Sequence, residues 1–164
     1  MVIPGVSTFM HDTTLVIRDR IINNVTDPAS ARRSGTTSKF SVTYFSGRDI
    51  IYPVIVTQCV GYISQSLGQR SEEMNIRMTF NVDIHAMSPK QADTLVDAVY
   101  ASLRSYQTGS NETIDLGLYD FTCDLISSFV EEPSGQAIEK VHRRILQVGY
   151  SFSTGWIQYD QDIF

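Results

Sequence analysis

Few of the residues on which most protein chemistry depends are present in this chain. Its 164 residues include two cysteines, three histidines and one tryptophan. Only 19% of positions are charged, and 13 Lys and Arg against 18 Asp and Glu leave a formal net charge of −5 and a pI near 5.0. That balance argues against a tightly held nucleic-acid duplex, which favours a basic footprint, though not against a channel through which DNA slides. Cys59 and Cys123, each flanked by apolar neighbours, read as buried thiols in a reducing compartment. A disulfide between them stays open at this level. His11, His85 and His142 fall in no HExxH or CxxC pattern, so neither a metal nor any other cofactor is expected. There is no nucleophile elbow, P-loop or GxGxxG run. The longest apolar run, Ile50 to Val56, is far too short to cross a bilayer, and Pro4 and Gly5 interrupt any early apolar stretch. Neither a membrane segment nor a secretory signal is expected, which points to synthesis in the cytoplasm.

What the chain does have is a period change at one junction. From Met74 to Ala86 apolar residues alternate with polar ones without a fault: Ile76, Met78, Phe80, Val82 and Ile84 against Asn75, Arg77, Thr79, Asn81, Asp83 and His85. Side chains on a strand point to opposite faces with period two, so this strand has one buried and one wet face. The period then becomes helical. Ser88 suits an N-cap, Pro89 the first helical position, and Gln91 completes a capping box, while Ala92, Leu95, Val96, Val99 and Leu103 form one apolar stripe. A helix packed on a sheet follows.

Around this unit the remaining elements fall into place. A first helix is predicted from Thr13 to Val25, capped by Asp12, with Leu15, Ile17, Ile21, Ile22 and Val25 facing inward. The small polar stretch from Ala29 to Ser38 reads as a mobile loop. Phe40, Val42 and Tyr44 suggest a short strand, residues 46–49 a turn, and Ile51 to Val56 a second strand placed at an edge or bulge by Pro53. Thr57 to Glu73, with Gly61 and Gly68, reads as a long hairpin or loop. Tyr119 to Leu125 and Leu146 to Phe152 alternate as two further strands, with a polar excursion from Glu131 to Val141 between them. The expected fold is α+β: a mainly antiparallel sheet of four to five strands, two helices packed on one face, and a projecting long hairpin or loop. One domain spans residues 1–155, large enough to bury roughly 70% of its unfolded surface, and residues 156–164 form an aromatic C-terminal tail. The long strand would extend about 43 Å against the usual ~17–20 Å, so either it bends sharply or its first half projects as a hairpin arm with Thr57 to Glu73; such an arm needs a partner and is the expected contact between subunits.

Candidate sites are few. Asp83 and His85 share the polar face of the long strand and could orient one another, but a plain polar face is the simpler reading. Asp120 and Asp124 stand about 13 Å apart along a strand, too far to share a proton. The doublets Arg32-Arg33 and Arg143-Arg144 read as surface features able to pair with acids on another copy. The tail places Trp156, Ile157, Tyr159 and Phe164 among Asp160 and Asp162. Aromatic residues of this kind anchor interfaces, so the tail, with Arg32 and Arg33, is the candidate assembly contact. No catalytic residue is assigned.

The order of elements resembles a known group. An N-terminal helix precedes a Tyr-Pro strand at Tyr52-Pro53-Val54-Ile55-Val56. A long alternating strand enters a helix through Ser88-Pro89-Lys90-Gln91-Ala92, and the chain closes on an acidic strand and an Arg-Arg-x-Leu strand at Arg143-Arg144-Ile145-Leu146. This pattern, over residues 10–155, is similar to the tail terminator, or tail completion, proteins of long-tailed phages and related archaeal viruses. The resemblance implies no catalysis. It implies a homo-oligomeric, hexameric ring on the head-proximal end of the tail tube, at the tail–neck junction of the virion. Such a ring ends tube polymerisation and joins the tail to the neck or connector protein, and DNA passes through its lumen without tight binding. The alternatives are another virion joint (a neck, head-completion or tail tube subunit), or a small enzyme using Asp83 and His85.

Overall fold

The computed structural model describes residues 9–44, 50–66, 74–105, 119–131 and 140–153. The elements run α1 (Phe9–Asn24), α2 (Ser30–Arg33), β1 (Ser41–Val42), β2 (Val54–Ser66), β3 (Met74–Ala86), α3 (Pro89–Ser105), β4 (Tyr119–Glu131) and β5 (Val141–Ser153). The five strands form one open sheet in the order β1-β2-β3-β5-β4, antiparallel except for the short β1, which runs parallel to β2. The fold is α+β, with two long helices and the single-turn α2.

The alternation of β3 decides which face is which. Ile76, Met78, Phe80, Val82, Ile84 and Ala86 are all buried, and they join Leu146, Val148, Tyr150 and Phe152 of β5. The α3 stripe Leu95, Val99 and Leu103 packs on this surface, with Val96 partly buried beside it. The α3 N-terminus is capped as the sequence predicts: Gln91 N donates to Ser88 Oγ at 3.2 Å. The reciprocal bond shifts by one residue, since Gln91 Oε1 accepts from Met87 N at 3.2 Å. At the other end the buried Tyr150 hydroxyl donates to Leu103 O at 3.0 Å, satisfying a last-turn carbonyl that has no partner within the helix.

Several boundaries differ from the expectation. α1 begins at Phe9, so Asp12 lies in its first turn and is not its cap. Its buried residues are Thr13, Thr14, Ile17, Ile21 and then Val25, and Ile22 faces outward, because the helix is buried on one side only. The Ala29–Ser38 segment, expected to be a mobile loop, holds α2 and is stitched to its surroundings. Asp27 Oδ1 accepts from Ala29 N at 2.9 Å, and Asp27 Oδ2 pairs with Arg33 Nε at 2.7 Å. Gly35, at φ +75°, turns the chain after α2.

The largest revision concerns β2. The predicted strand Ile51–Val56 and the segment expected to be hairpin or loop form one strand of 13 residues, beginning after the cis Tyr52–Pro53 bond. It pairs with β3 along its whole length, with a bulge between Cys59 and Gly61. The first half of β3 does not stand beyond the sheet, because β5 accompanies it as far as Asn75↔Ser153. β4 also runs on to Glu131, past the predicted end at Leu125. Four strands of 13 residues each therefore support one another. The predicted turn at 46–49 and most of the Glu131–Val141 excursion lie outside the described residues.

Two substitutions test this core. Val99→Asp puts an unpaired charge at a fully buried position, and the protein should fail to fold. A soluble, cooperatively melting variant would contradict the packing. Tyr150→Phe removes one buried hydrogen bond at constant shape and should cost about 1 kcal/mol, lowering Tm by about 2–4 °C in thermal denaturation.

Candidate functional site

Helices cover one face of the sheet, and the opposite face is built from the polar positions of its strands. Residues paired across strands share a face, so the ladder sets Asp83 and His85 of β3 beside Ile145 and Arg143 of β5, and Arg77 beside Ser151. Two polar networks result.

The first surrounds Asp83. His85 Nε2 lies 3.2 Å from Asp83 Oδ2, and Arg143 engages both carboxylate oxygens through Nε and Nη2. Arg143 Nη1 also reaches Glu131 Oε2 of β4 at 3.3 Å, and its guanidinium lies 4.8 Å from the Phe129 ring centroid. The His85 and Asp83 side chains are only 8% and 18% exposed. Burial by itself would raise the Asp83 pKa, but the hydrogen bonds from His85 and Arg143 outweigh it and hold the carboxyl below its ordinary value. The same Asp83 bond raises the Arg143 pKa. Burial, and then the Glu131 carboxylate, push the nearby Tyr52 phenol up. The sequence expectation of a plain polar face at Asp83 and His85 is thus replaced by a desolvated ion-pair cluster tying three strands together.

The second network sits toward the other end of the same face. Arg77 donates to Asp120 O at 3.0 Å, Asp120 Oδ2 at 3.1 Å, Thr122 Oγ1 at 2.7 Å and Ser151 Oγ at 3.1 Å. To reach β4 from β3 its side chain must cross β5, and it crosses at Gly149. A Cβ there would stand 2.7 Å from Arg77 Nη2 and 2.6 Å from Thr122 Oγ1. Asp120 takes a left-handed backbone, φ 57°, at the irregularity between Tyr119 and Thr122, and Arg77 pins both its carbonyl and its carboxylate there.

The arginine doublets have separate fates. Arg33 is consumed inside its own chain by Asp27, Ser38 Oγ and the carbonyls of Ile51 and Pro53, with its side chain 8% exposed. It is not an available partner for another copy. Arg32 is exposed and donates to Tyr52 O at 3.0 Å. Arg143 belongs to the Asp83 cluster, and Arg144, on the helix side, pairs with Asp93 at 2.9 Å. The tail residues Trp156, Ile157, Tyr159 and Phe164 lie outside the described residues.

Both thiols are free and half-buried. They face the helix side, opposite Phe80 and Val148, away from the Asp83–His85 pair. Burial raises both pKa values, and Asp124 adds to the rise that carries Cys123 to about 11. Cys59 and His11 line a hollow of about 400 Å³ with Met10, Thr14, Thr43, Thr57 and Gln58. The Cys59 thiol there is held protonated and donates to Gly61 O at 3.7 Å, so it is no activated nucleophile. Among the described residues, no three His, Cys, Asp or Glu side chains come together in a way that could hold a metal ion, and no helix is long and apolar enough to cross a membrane.

Sequence reasoning missed Arg143, Glu131 and Arg77 as partners, since only the register of β3 against β5 and β4 brings them together. It also missed the exposed apolar side chains of β4, Leu125, Ile126, Phe129 and Val130, which the register sets on both faces of the strand. Those of β2, Val60, Tyr62 and Ile63, fall in the Thr57 to Glu73 segment, where a partner was expected.

These assignments predict a pH and a labelling response. The Asp83 pKa is lower in the folded state, so its stabilisation is complete above the unfolded value of about 3.9 and is lost as pH falls through the folded value. Asp83→Asn should destabilise the protein by about 1–3 kcal/mol at pH 7, by leaving Arg143 without its carboxylate, and should flatten the fall of Tm below about pH 4. An unchanged acid limb would contradict the cluster. Native protein at pH 7.5 should react with a thiol reagent far more slowly than denatured protein, in which both cysteines should label.

No protein-family model matches this chain, and no curated protein matches its sequence.

Proposed function

We propose that this chain is a structural virion protein that caps the head-proximal end of a tail tube as a ring, most simply a hexamer, ends tube polymerisation and joins the tail to the neck or connector protein. The observation that carries the reading is a sheet of four 13-residue strands that, among the described residues, helices cover on one face only, with apolar side chains exposed along β2 and β4. So much ordered surface in a small domain suits a protein whose work is contact. The element order behind the resemblance to tail terminators also runs through the domain: helix, Tyr-Pro strand, long strand, helix, two strands.

The polar face supports the passage of DNA without tight binding. Arg77 and Arg143 on this face are neutralised by Asp120, Asp83 and Glu131, and Asp124 is exposed beside them. A phosphate backbone gains little from arginines already paired with carboxylates. The small-enzyme alternative has weaker support. The Asp83 carboxylate is shared by His85 and Arg143, and both thiols lie on the other face.

Purified protein mixed with tail tubes lacking it should appear in negative stain as one ring at one end of each tube, and should stop further growth when tube subunits are added. Growth of this chain into long tubes by itself would make it a tube subunit. Deleting residues 156–164 should leave Tm nearly unchanged and abolish attachment to tubes. A truncated protein that fails to fold would place the tail in the core.

A further inference from the structure

We propose that copies of this chain join edge to edge, with the outer edge of β4 in one copy pairing antiparallel with the outer edge of the distal half of β2 in the next. This rests on the ring reading above and names the surfaces that would build it.

Both edges lack a strand partner among the described residues. β1 pairs only with Ile55 and Val56, leaving β2 uncovered on that side from Thr57 to Ser66, and β4 pairs only with β5. Exposed sheet edges normally carry charge or proline that prevents pairing with another chain. Thr57 to Ser66 has neither, and nor does Leu125 to Val130. β2 has one bulge, at Cys59/Gly61, and β4 has two irregularities, at Tyr119/Thr122 and Leu125/Ser127, which leaves Gly61–Ser66 and Ser127–Glu131 as regular runs. Apolar side chains stand out in both runs: Ile63 is 68% exposed and Val130 50%.

The two edges fit each other. Successive antiparallel pairing across β2-β3-β5-β4 makes β4 run opposite to β2. A second copy added in the same orientation therefore brings its β2 against β4 in antiparallel sense, the more stable ladder. The joint uses two different surfaces, so it satisfies both edges at once and repeats into a ring where the rotation closes. A two-fold contact of β4 with β4 would leave every β2 edge bare. The hollow of about 400 Å³ opens beside β2 just past β1, and Thr57 Oγ1 is buried there without a hydrogen-bond partner.

The amides that make this joint can be identified. Ile55 N donates outward to Phe40 O, and alternation along the ladders then directs the Ser64 amide of β2 and the Ser128 amide of β4 outward as well. Both serines are exposed. Ser64→Pro or Ser128→Pro removes an outward N–H without touching the chain's own ladder.

Sedimentation of the full chain tests the proposal. Wild type should assemble with rising concentration, each proline variant alone should remain monomeric, and an equimolar mixture of the two should stop at a one-to-one dimer. Ser64→Lys and Ser128→Lys serve in place of a proline variant whose circular dichroism shows it unfolded. Wild type that stays monomeric at millimolar concentration, a variant that assembles like wild type, or a variant that dimerises alone would overturn edge pairing. Rings that cap tubes but ignore these substitutions would overturn it while leaving the tail-end reading in place. Edge-paired assemblies that leave tubes uncapped would do the reverse.

Discussion

The strict alternation of Met74 to Ala86 leaves β3 no choice of register. A slip of one residue would put Met78, Phe80, Val82 and Ile84 into solvent and Arg77, Asp83 and His85 under the helices. Because β3 has a long neighbour on each side, its register passes outward to β2 and β5, and through β5 to β4. The buried row on β3 fixes where α3 lies, and Tyr150 of β5 locks the last turn of that helix through Leu103. The two polar networks are the other side of the same constraint. With one face spent on the core, every polar residue of β3 arrives on the opposite face, beside its counterparts on β5.

Those networks tie the strands to one another on the face opposite the helices. Arg143 holds β4 from the adjacent β5, and Arg77 reaches it from β3 across β5; β4 is the edge strand that no other described element pairs with beyond β5. Paired groups of this kind add little net stability, but breaking one partner leaves the other desolvated, so they act against alternative registers. Gly149 belongs to this device, since its missing side chain is the passage for Arg77. The result is an edge strand held at both ends by side chains from its own sheet.

Much of the fold was legible from local pattern. The period change at Ser88, the stripe on α3 and the alternation of β3 each involve residues near in sequence, and all reappear in the structure. Less was legible where the signal is spread across strands. Thr57 to Ser66 could be read only as hairpin or loop because Gly61 interrupts it and its apolar residues do not alternate cleanly. The bulge at Cys59/Gly61 changes the phase, so two regular runs read as one irregular one. α2 was invisible because four residues carry no period, and Arg33 looked like a surface cation because its acceptors, the Ile51 and Pro53 carbonyls, are backbone atoms far along the chain. The Asp83–His85 pair was visible as spacing on one strand, but Arg143, which decides its chemistry, came only with the β3–β5 register.

We propose that this domain is a building block of a ring at a tube end, joined to its neighbours through its sheet. A single-particle electron-microscopy map of the tail–neck junction tests it most directly. The account predicts one closed ring of this chain per particle, seated at the head-proximal end of the tube, with β4 of each copy beside β2 of the next. A map with this chain repeated along the tube, or with no density for it at the junction, would contradict the account.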